Sequence, residues 1–148
     1  MEDFVLKQAG MDNIHALTEM NQELIIDEQS ENPMNYTELY NRMTEFLNND
    51  WTAMLLLYKG EMIGYGLYQE RRKIFDPSKA EIYLRQYFIK RPFRGLGLGR
   101  EGIRKLRAEV FPNAAVLIID VLELNQAGRR FWESVGFRPY YTNMKLQN

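Results

Sequence analysis

Residues 81–110, EIYLRQYFIKRPFRGLGLGREGIRKLRAEV, constrain the fold of this chain more than any other stretch. They read as a strand, a tight glycine loop and a helix in direct succession. Ile82 to Lys90 is rich in β-branched and aromatic residues, and Pro92 marks its end. The loop is Arg94-Gly95-Leu96-Gly97-Leu98-Gly99. A helix starting near Leu98 puts Leu98, Ile103, Leu106 and Val110 on one face and charge on the other, and Pro112 bars its continuation. The first amides of a helix lack intrahelical acceptors, and the helix dipole adds partial positive charge there. Glycines admit positive φ and, without a Cβ, let an anion approach the backbone. The junction is therefore predicted to be a backbone cradle for phosphate or diphosphate, flanked by the charge of Arg94 and Arg100. Glycines also simply make turns; the arginines and the helix start favour the cradle.

The spacing excludes two familiar phosphate loops. No Gly-Lys-Ser/Thr follows, and the glycines run G-x-G-x-G rather than G-x-G-x-x-G, late in the chain. Arg94-x-x-Gly97-x-Gly99 instead resembles motif A of the GNAT superfamily, the acyl-CoA-dependent N-acyltransferases (Gln/Arg-x-x-Gly-x-Gly/Ala). Asn125-Gln126-Ala127-Gly128-Arg129-Arg130-Phe131-Trp132, followed by Gly136-Phe137, resembles that family's motif B, in the expected order and distance. The resemblance is sharp over residues 81–140 and rests on element order before that.

A chain of 148 residues reads as one domain, 1–148, large enough for a proper core. No apolar run approaches a membrane span, and the acidic, alternating MEDFVLKQAG does not read as a signal peptide, so the cytoplasm is expected. The absence of cysteine removes disulfides, thiolate metal sites and an acyl-cysteine intermediate together, and no metal is expected. The net charge of −1 hides an asymmetry. Residues 1–50 hold eleven acids against Lys7 and Arg42, whereas residues 85–107 hold eight bases against Glu101. Such a field draws a polyanion to one side and a cation to the other, although solvated faces account for much of each set. The bases surround one glycine loop with no recognised nucleic-acid module, so no nucleic-acid partner is expected.

In chain order, Asp3 to Gln8 alternates as a first strand. Asp12 is a candidate N-cap for a helix carrying Ile14, Leu17, Met20, Leu24 and Ile25, with His15 read as packing or surface. Asn35 and Glu38 form a capping pair for a helix over 36–48 with Leu39, Met43, Phe46 and Leu47 inward. Trp51–Lys59 and Met62–Glu70 make a hairpin, with Gly64 and Gly66 signalling close backbone approach or a bulge. Asp76-Pro77-Ser78 is read as a loop, and Ala115–Val121 as a buried strand reached by a right-handed parallel crossover. Asn125 caps or precedes a last helix ending near Val135, Gly136 stops it, and Phe137–Gln147 is read as the final strand or strands.

The resemblance implies a mixed α/β (α+β) fold: a central, mostly antiparallel sheet with one splayed parallel pair and helices on both faces. It implies acetyl-CoA as cofactor, with its pantetheine arm on the backbone of Tyr87, Phe88 and Ile89. The diphosphate would lie on Arg94, Gly95, Leu96, Gly97, Leu98, Gly99 and Arg100, and the thioester side would be lined by Asn125, Gly128, Phe131 and Trp132. The implied reaction is direct attack of a neutral amine on the thioester, with an N–H near Phe88 or Ile89 for the oxyanion. Glu81 is the candidate base, weighed against a surface acid at a strand end. Trp132 occupies the position of the family's acidic Tyr, and indole cannot supply a proton at neutral pH. Tyr140, Tyr141 or water takes that role, or the thiolate leaves unprotonated. Phe131 and Trp132 are not expected to face the same side of their helix, which would make Trp132 a core aromatic. The region between the first two helices helps form the family's acceptor site, so Asp27, Glu28 and Glu31 either bind an ammonium group or belong to a solvated loop.

Three functions follow: an N-acetyltransferase (an acyltransferase moving groups other than aminoacyl groups) for a small cationic amine, one for a protein N-terminus or lysine, or a non-catalytic acyl-CoA-binding module. A homodimer is left open.

Overall fold

A computed structural model of the chain describes residues 2–73, 75–114 and 116–148. Strand β1 (Phe4–Gln8) leads through a 3-10 turn (Met11–Asn13) into helix α1 (Ile14–Asp27), and α2 (Tyr36–Asn48) follows. Strands β2 (Thr52–Tyr58), β3 (Glu61–Lys73) and β4 (Asp76–Ile89) form a meander. A 3-10 turn (Arg91–Phe93) and the glycine loop feed α3 (Leu98–Lys105), which ends in a π turn (Leu106–Val110) before β5 (Val116–Ile118) and α4 (Gln126–Ser134). One sheet runs in the order β1-β2-β3-β4-β5. Its neighbours are antiparallel except β4 and β5, which are parallel.

Helices cover both faces because both are apolar. Ile14, Leu17, Met20 and Leu24 of α1 and Met43 of α2 bury against Ala53, Leu55, Tyr65, Leu67 and Phe88. On the other face, Ile103 and Leu106 meet Met54, Ile82 and Leu84, while Leu98 packs with Phe4, Leu56 and Ile63. The predicted capping pair of α2 forms reciprocally: Glu38 N–H donates to Asn35 Oδ1 (2.9 Å) and Asn35 N–H to Glu38 Oε1 (3.0 Å). At α1 the cap prediction fails. Asp12 lies inside the 3-10 turn, the cap position is Asn13, and the Asn13 side chain accepts from Gly10 N–H (2.9 Å) instead.

Gly64 earns its place: a Cβ there would lie 2.0 Å from the Phe88 carbonyl oxygen. Its strand is also irregular, since Leu56 faces Gly64 but Leu57 faces Met62, so Ile63 is the extra residue of a bulge. A second bulge falls in β4, where Leu67 faces Gln86 and Tyr68 faces Leu84, leaving Arg85 extra. Alternation is broken there. Ile82 and Leu84 point to the α3 face, as do Tyr87 and Ile89, while Phe88 joins the α1–α2 face.

Three strand expectations are corrected. Asp76-Pro77-Ser78 opens β4 rather than forming a loop, with Asp76 paired to Lys73; proline is tolerated near a strand start. The predicted 115–121 strand is ordered as such only over Val116–Ile118, because β4 turns away beyond Tyr83 and offers no further ladder; its first residue, Ala115, lies outside the described residues. Phe137–Gln147 forms no strand. Pro139 cannot donate to a ladder, and a three-residue β5 leaves it little edge to pair with.

Candidate functional site

The parallel pair is closed over three residues and then opens. Glu81, Ile82 and Tyr83 pair with Val116, Leu117 and Ile118, after which β4 continues to Ile89 on β3 alone. A bulge bends its strand and raises the local twist, and Arg85 lies just where the two strands part. The last tie across the pair is a side-chain one: Tyr83 Oη donates to Asp120 Oδ2 (2.5 Å). Burial, with the hydrogen bond to Asp120 and its charge, pushes the Tyr83 phenol up to about 12.

The glycine loop follows the end of β4, beyond the point where the pair has parted. Gly95 (φ 77°) and Gly97 (φ 80°) take left-handed conformations, and a Cβ at Gly95 would project into open space. Gly97 is the N-cap of α3, and no side chain caps the helix, whereas Asn125 caps α4 by accepting from Gly128 N–H (3.0 Å). No cap side chain therefore accepts from the first amides of α3. The flanking arginines are engaged with protein. Arg94 Nε donates to the Ile89 carbonyl (2.8 Å) and its Nη2 to Asp27 Oδ2 (2.5 Å), while Arg100 Nη2 donates to the Ser134 carbonyl (2.9 Å).

Other glycines of α3 serve packing. Tyr87 Oη donates to the Gly99 carbonyl (2.6 Å), and a Cβ at Gly102 would lie 2.1 Å from that phenol oxygen. Burial pushes the Tyr87 phenol far above its ordinary value. A Cβ at Gly99 would sit 3.1 Å from Phe131. Phe131 stacks on Tyr87 (centroids 6.2 Å apart, 15° between planes), and Trp132 also reaches Tyr87 (5.6 Å) and Phe137 (5.1 Å). The expectation that Phe131 and Trp132 face different sides is therefore corrected. Although a helix turns about 100° per residue, both rings are long enough to flank one phenol.

The predicted acids separate. Asp27 is tied to Arg94 and to Arg91 (2.9 Å), and Arg91 also meets Glu23 (2.9 Å). Burial alone would raise the Asp27 carboxyl, but the hydrogen bonds and charges of Arg94 and Arg91 outweigh it and hold it low. Glu28 is half-buried, and burial followed by the Asp27 charge pushes it up to about 7. Glu31 is exposed on the loop. Glu81 is half-buried in the closed part of the ladder, between Arg71 of β3 and Val116 of β5. Tyr140 and Tyr141 are 93% and 73% exposed and stand edge-on to each other. His15 contacts Tyr36 and Glu19 on the outer side of α1 and α2.

Parts of the site escape a reading of the sequence: Arg91, Gln29, Asp120 and the phenols of Tyr83 and Tyr87. Gln29 Nε2 donates to the Leu124 carbonyl (3.1 Å), 95 residues away, and no local pattern announces such a contact.

A meander, a parallel pair that parts after three residues, and an uncapped glycine-mouthed helix behind it make the frame of the site. The Acetyltransferase (GNAT) family model matches residues 15–137. The chain is 27% identical over 135 residues to the Spermine/spermidine N(1)-acetyltransferase of Bacillus subtilis (strain 168), covering 85% of this chain and 87% of that protein. Among solved structures it is similar to a possible acetyltransferase from Clostridium difficile 630 (TM-score 0.81, 11% identity, 98% and 97% of the two chains). It is also similar to a predicted acetyltransferase from Clostridium acetobutylicum solved with acetyl-CoA (TM-score 0.74, 18% identity, 97% and 96%). The chain belongs to the GNAT acetyltransferase family. Membership makes it an acetyltransferase with acetyl-CoA as the acetyl donor. Among the described residues, no helix is long and apolar enough to cross a membrane.

Proposed function

We propose that this chain, acting as a single domain, moves an acetyl group from acetyl-CoA to a primary amine of a small polycationic acceptor of the polyamine class by direct attack. The observation that carries the reading is the parting of β4 from β5 after Tyr83, with the bare amides of α3 at the same opening. In this reading the amides of Gly95 to Arg100 hold the diphosphate, and the backbone of Tyr87, Phe88 and Ile89 pairs with the pantetheine arm. An N–H at Phe88 or Ile89 faces the thioester oxygen as negative charge develops on it. Asn125 and Gly128 fix the start of α4, so that Phe131 and Trp132 wall the thioester side. The polyamine class is supported by the relative named for spermine and spermidine. Without a cysteine no acyl-cysteine can form, and direct attack needs both substrates bound together with no acyl-enzyme.

Thiol release with acetyl-CoA and a panel of amines, followed by product mass, tests the reaction. Acetylation of spermidine but not of peptide N-termini is expected; the reverse selectivity overturns the acceptor assignment. Calorimetry tests the cradle. Gly97→Ala strains a left-handed position and should weaken CoA binding modestly. Gly97→Asp adds a carboxylate against the diphosphate and should abolish binding. Equal affinities for the two variants would remove the diphosphate from this loop.

A further inference from the structure

The turn that ends α1 bridges the glycine-loop side and the connection between β5 and α4, and two residues, Asp27 and Gln29, fix it there. Asp27 is pinned to Arg91 and Arg94 on the glycine-loop side. Gln29, at φ 55°, turns the chain back, and its side chain donates to the Leu124 carbonyl on the far side, between β5 and α4. Glu28 is the residue between these two anchors. Its carboxyl is half-buried and near enough to the Tyr65 phenol of β3 for the charge of one to act on the other, and Tyr65 is the cross-strand neighbour of Phe88 in β4.

We propose that Glu28 takes the proton from the acceptor ammonium and is the general base of acetyl transfer; this inference rests on the function proposed above. The other acids are placed for different tasks. Asp27 is committed to two guanidinium groups, Glu31 is exposed, and Glu81 sits inside the closed ladder before the strands part. Among the described residues no lysine or arginine pairs with Glu28. The groups facing it are Asp27 on its own helix and Tyr65 on β3, with Arg42 of α2 acting on Tyr65 from behind. Arg91 and Arg94 are already matched by Asp27.

This environment suits proton transfer from an amine. A carboxyl titrating at about 7 rather than its ordinary 4.5 accepts a proton about 300-fold more favourably at equilibrium. The balance is complete. An N–H bond of the ammonium breaks and its proton joins the Glu28 carboxylate. The freed lone pair forms the N–C bond to the acetyl carbon, and the C–S bond breaks with its electron pair on sulfur. The nitrogen's surplus proton goes to the thiolate, giving acetamide and thiol. Glu28 then returns its proton to solvent.

The test is thiol release with acetyl-CoA and spermidine from about pH 5.5 to about pH 9.5, with CoA affinity measured in parallel. The intact chain should show a rise in kcat/KM with a bend near 7, well below the ordinary amine value of about 10. Glu28→Gln should lose about 100-fold in kcat and the bend with it, at unchanged CoA affinity, and Glu28→Asp should recover part of the rate. A bend that persists in Glu28→Gln, or a rate within about threefold of the intact chain, overturns the assignment. So does a full loss in Glu81→Gln with Glu28→Gln indifferent. An intact chain that neither binds CoA nor acetylates any amine overturns the function itself; an active chain with an indifferent Glu28 overturns this inference alone.

Discussion

A carboxyl kept protonated up to about pH 7 works against the fold. In the unfolded chain Glu28 ionises near its ordinary 4.5, whereas in the folded chain it holds its proton to about 7. Between those values the folded state binds more protons, so stability falls as pH rises and stays low above 7. Glu28→Gln removes this penalty. The variant should be more stable than the parent at pH 8, by up to about 3 kcal/mol, and no more stable near pH 4. Urea melts at the two pH values read the difference directly. A variant more stable yet slower would fit a residue kept for chemistry rather than for packing. Tyr83 and Tyr87 show the opposite economy: both phenols are raised by burial, yet each donates to a definite acceptor and stays neutral without cost at any physiological pH.

At the level of elements, the end of α1 is fastened to the glycine loop by ion pairs that are partly exposed, with side chains 24% exposed at Asp27 and 41% at Arg94. Solvent screening keeps such pairs modest, but one carboxylate serves two guanidinium groups. Asp27→Asn should cost about 1–2 kcal/mol at pH 7 in a urea melt. Because the Asp27 carboxyl is held low, its contribution is present above the ordinary carboxylate range and fades as pH falls through the folded value. Parent and variant should therefore converge in strong acid. The elements also show what a sequence can reveal. The strand–loop–helix over 81–110, the Asn35 and Glu38 cap and the Asn125 cap were legible because their partners lie within a few residues. The contacts Asp27–Arg94 and Gln29–Leu124, 67 and 95 residues apart, leave no local trace. The final strands expected over 137–147 do not form, because such a stretch becomes a strand only beside an edge that will pair with it, and the three-residue β5 provides almost none.

For the molecule as a whole, the proposed reaction depends on the placing of β4 between β3 and β5. In that proposal, helices on both faces and a sheet that opens between β4 and β5 give acetyl-CoA and the amine separate approaches to the thioester. This arrangement predicts a ternary complex: initial-rate plots at varied acetyl-CoA and amine should intersect, and parallel lines would contradict it.

The extra residue at Arg85 has one more consequence, which is a matter of counting. A strand assigns its residues to odd and even sides, and a single insertion swaps the assignment for everything downstream. With Arg85 present, Leu84 and Tyr87 share a side although three positions separate them, and Phe88 is sent opposite. Deleting Arg85 should restore strict parity, driving Phe88 toward α3 and the Tyr87 hydroxyl away from Gly99. Such a variant should bury the wrong set of side chains and fail to melt cooperatively. One arginine thus acts as the phase setting of the strand, and every later residue of β4 takes its orientation from it.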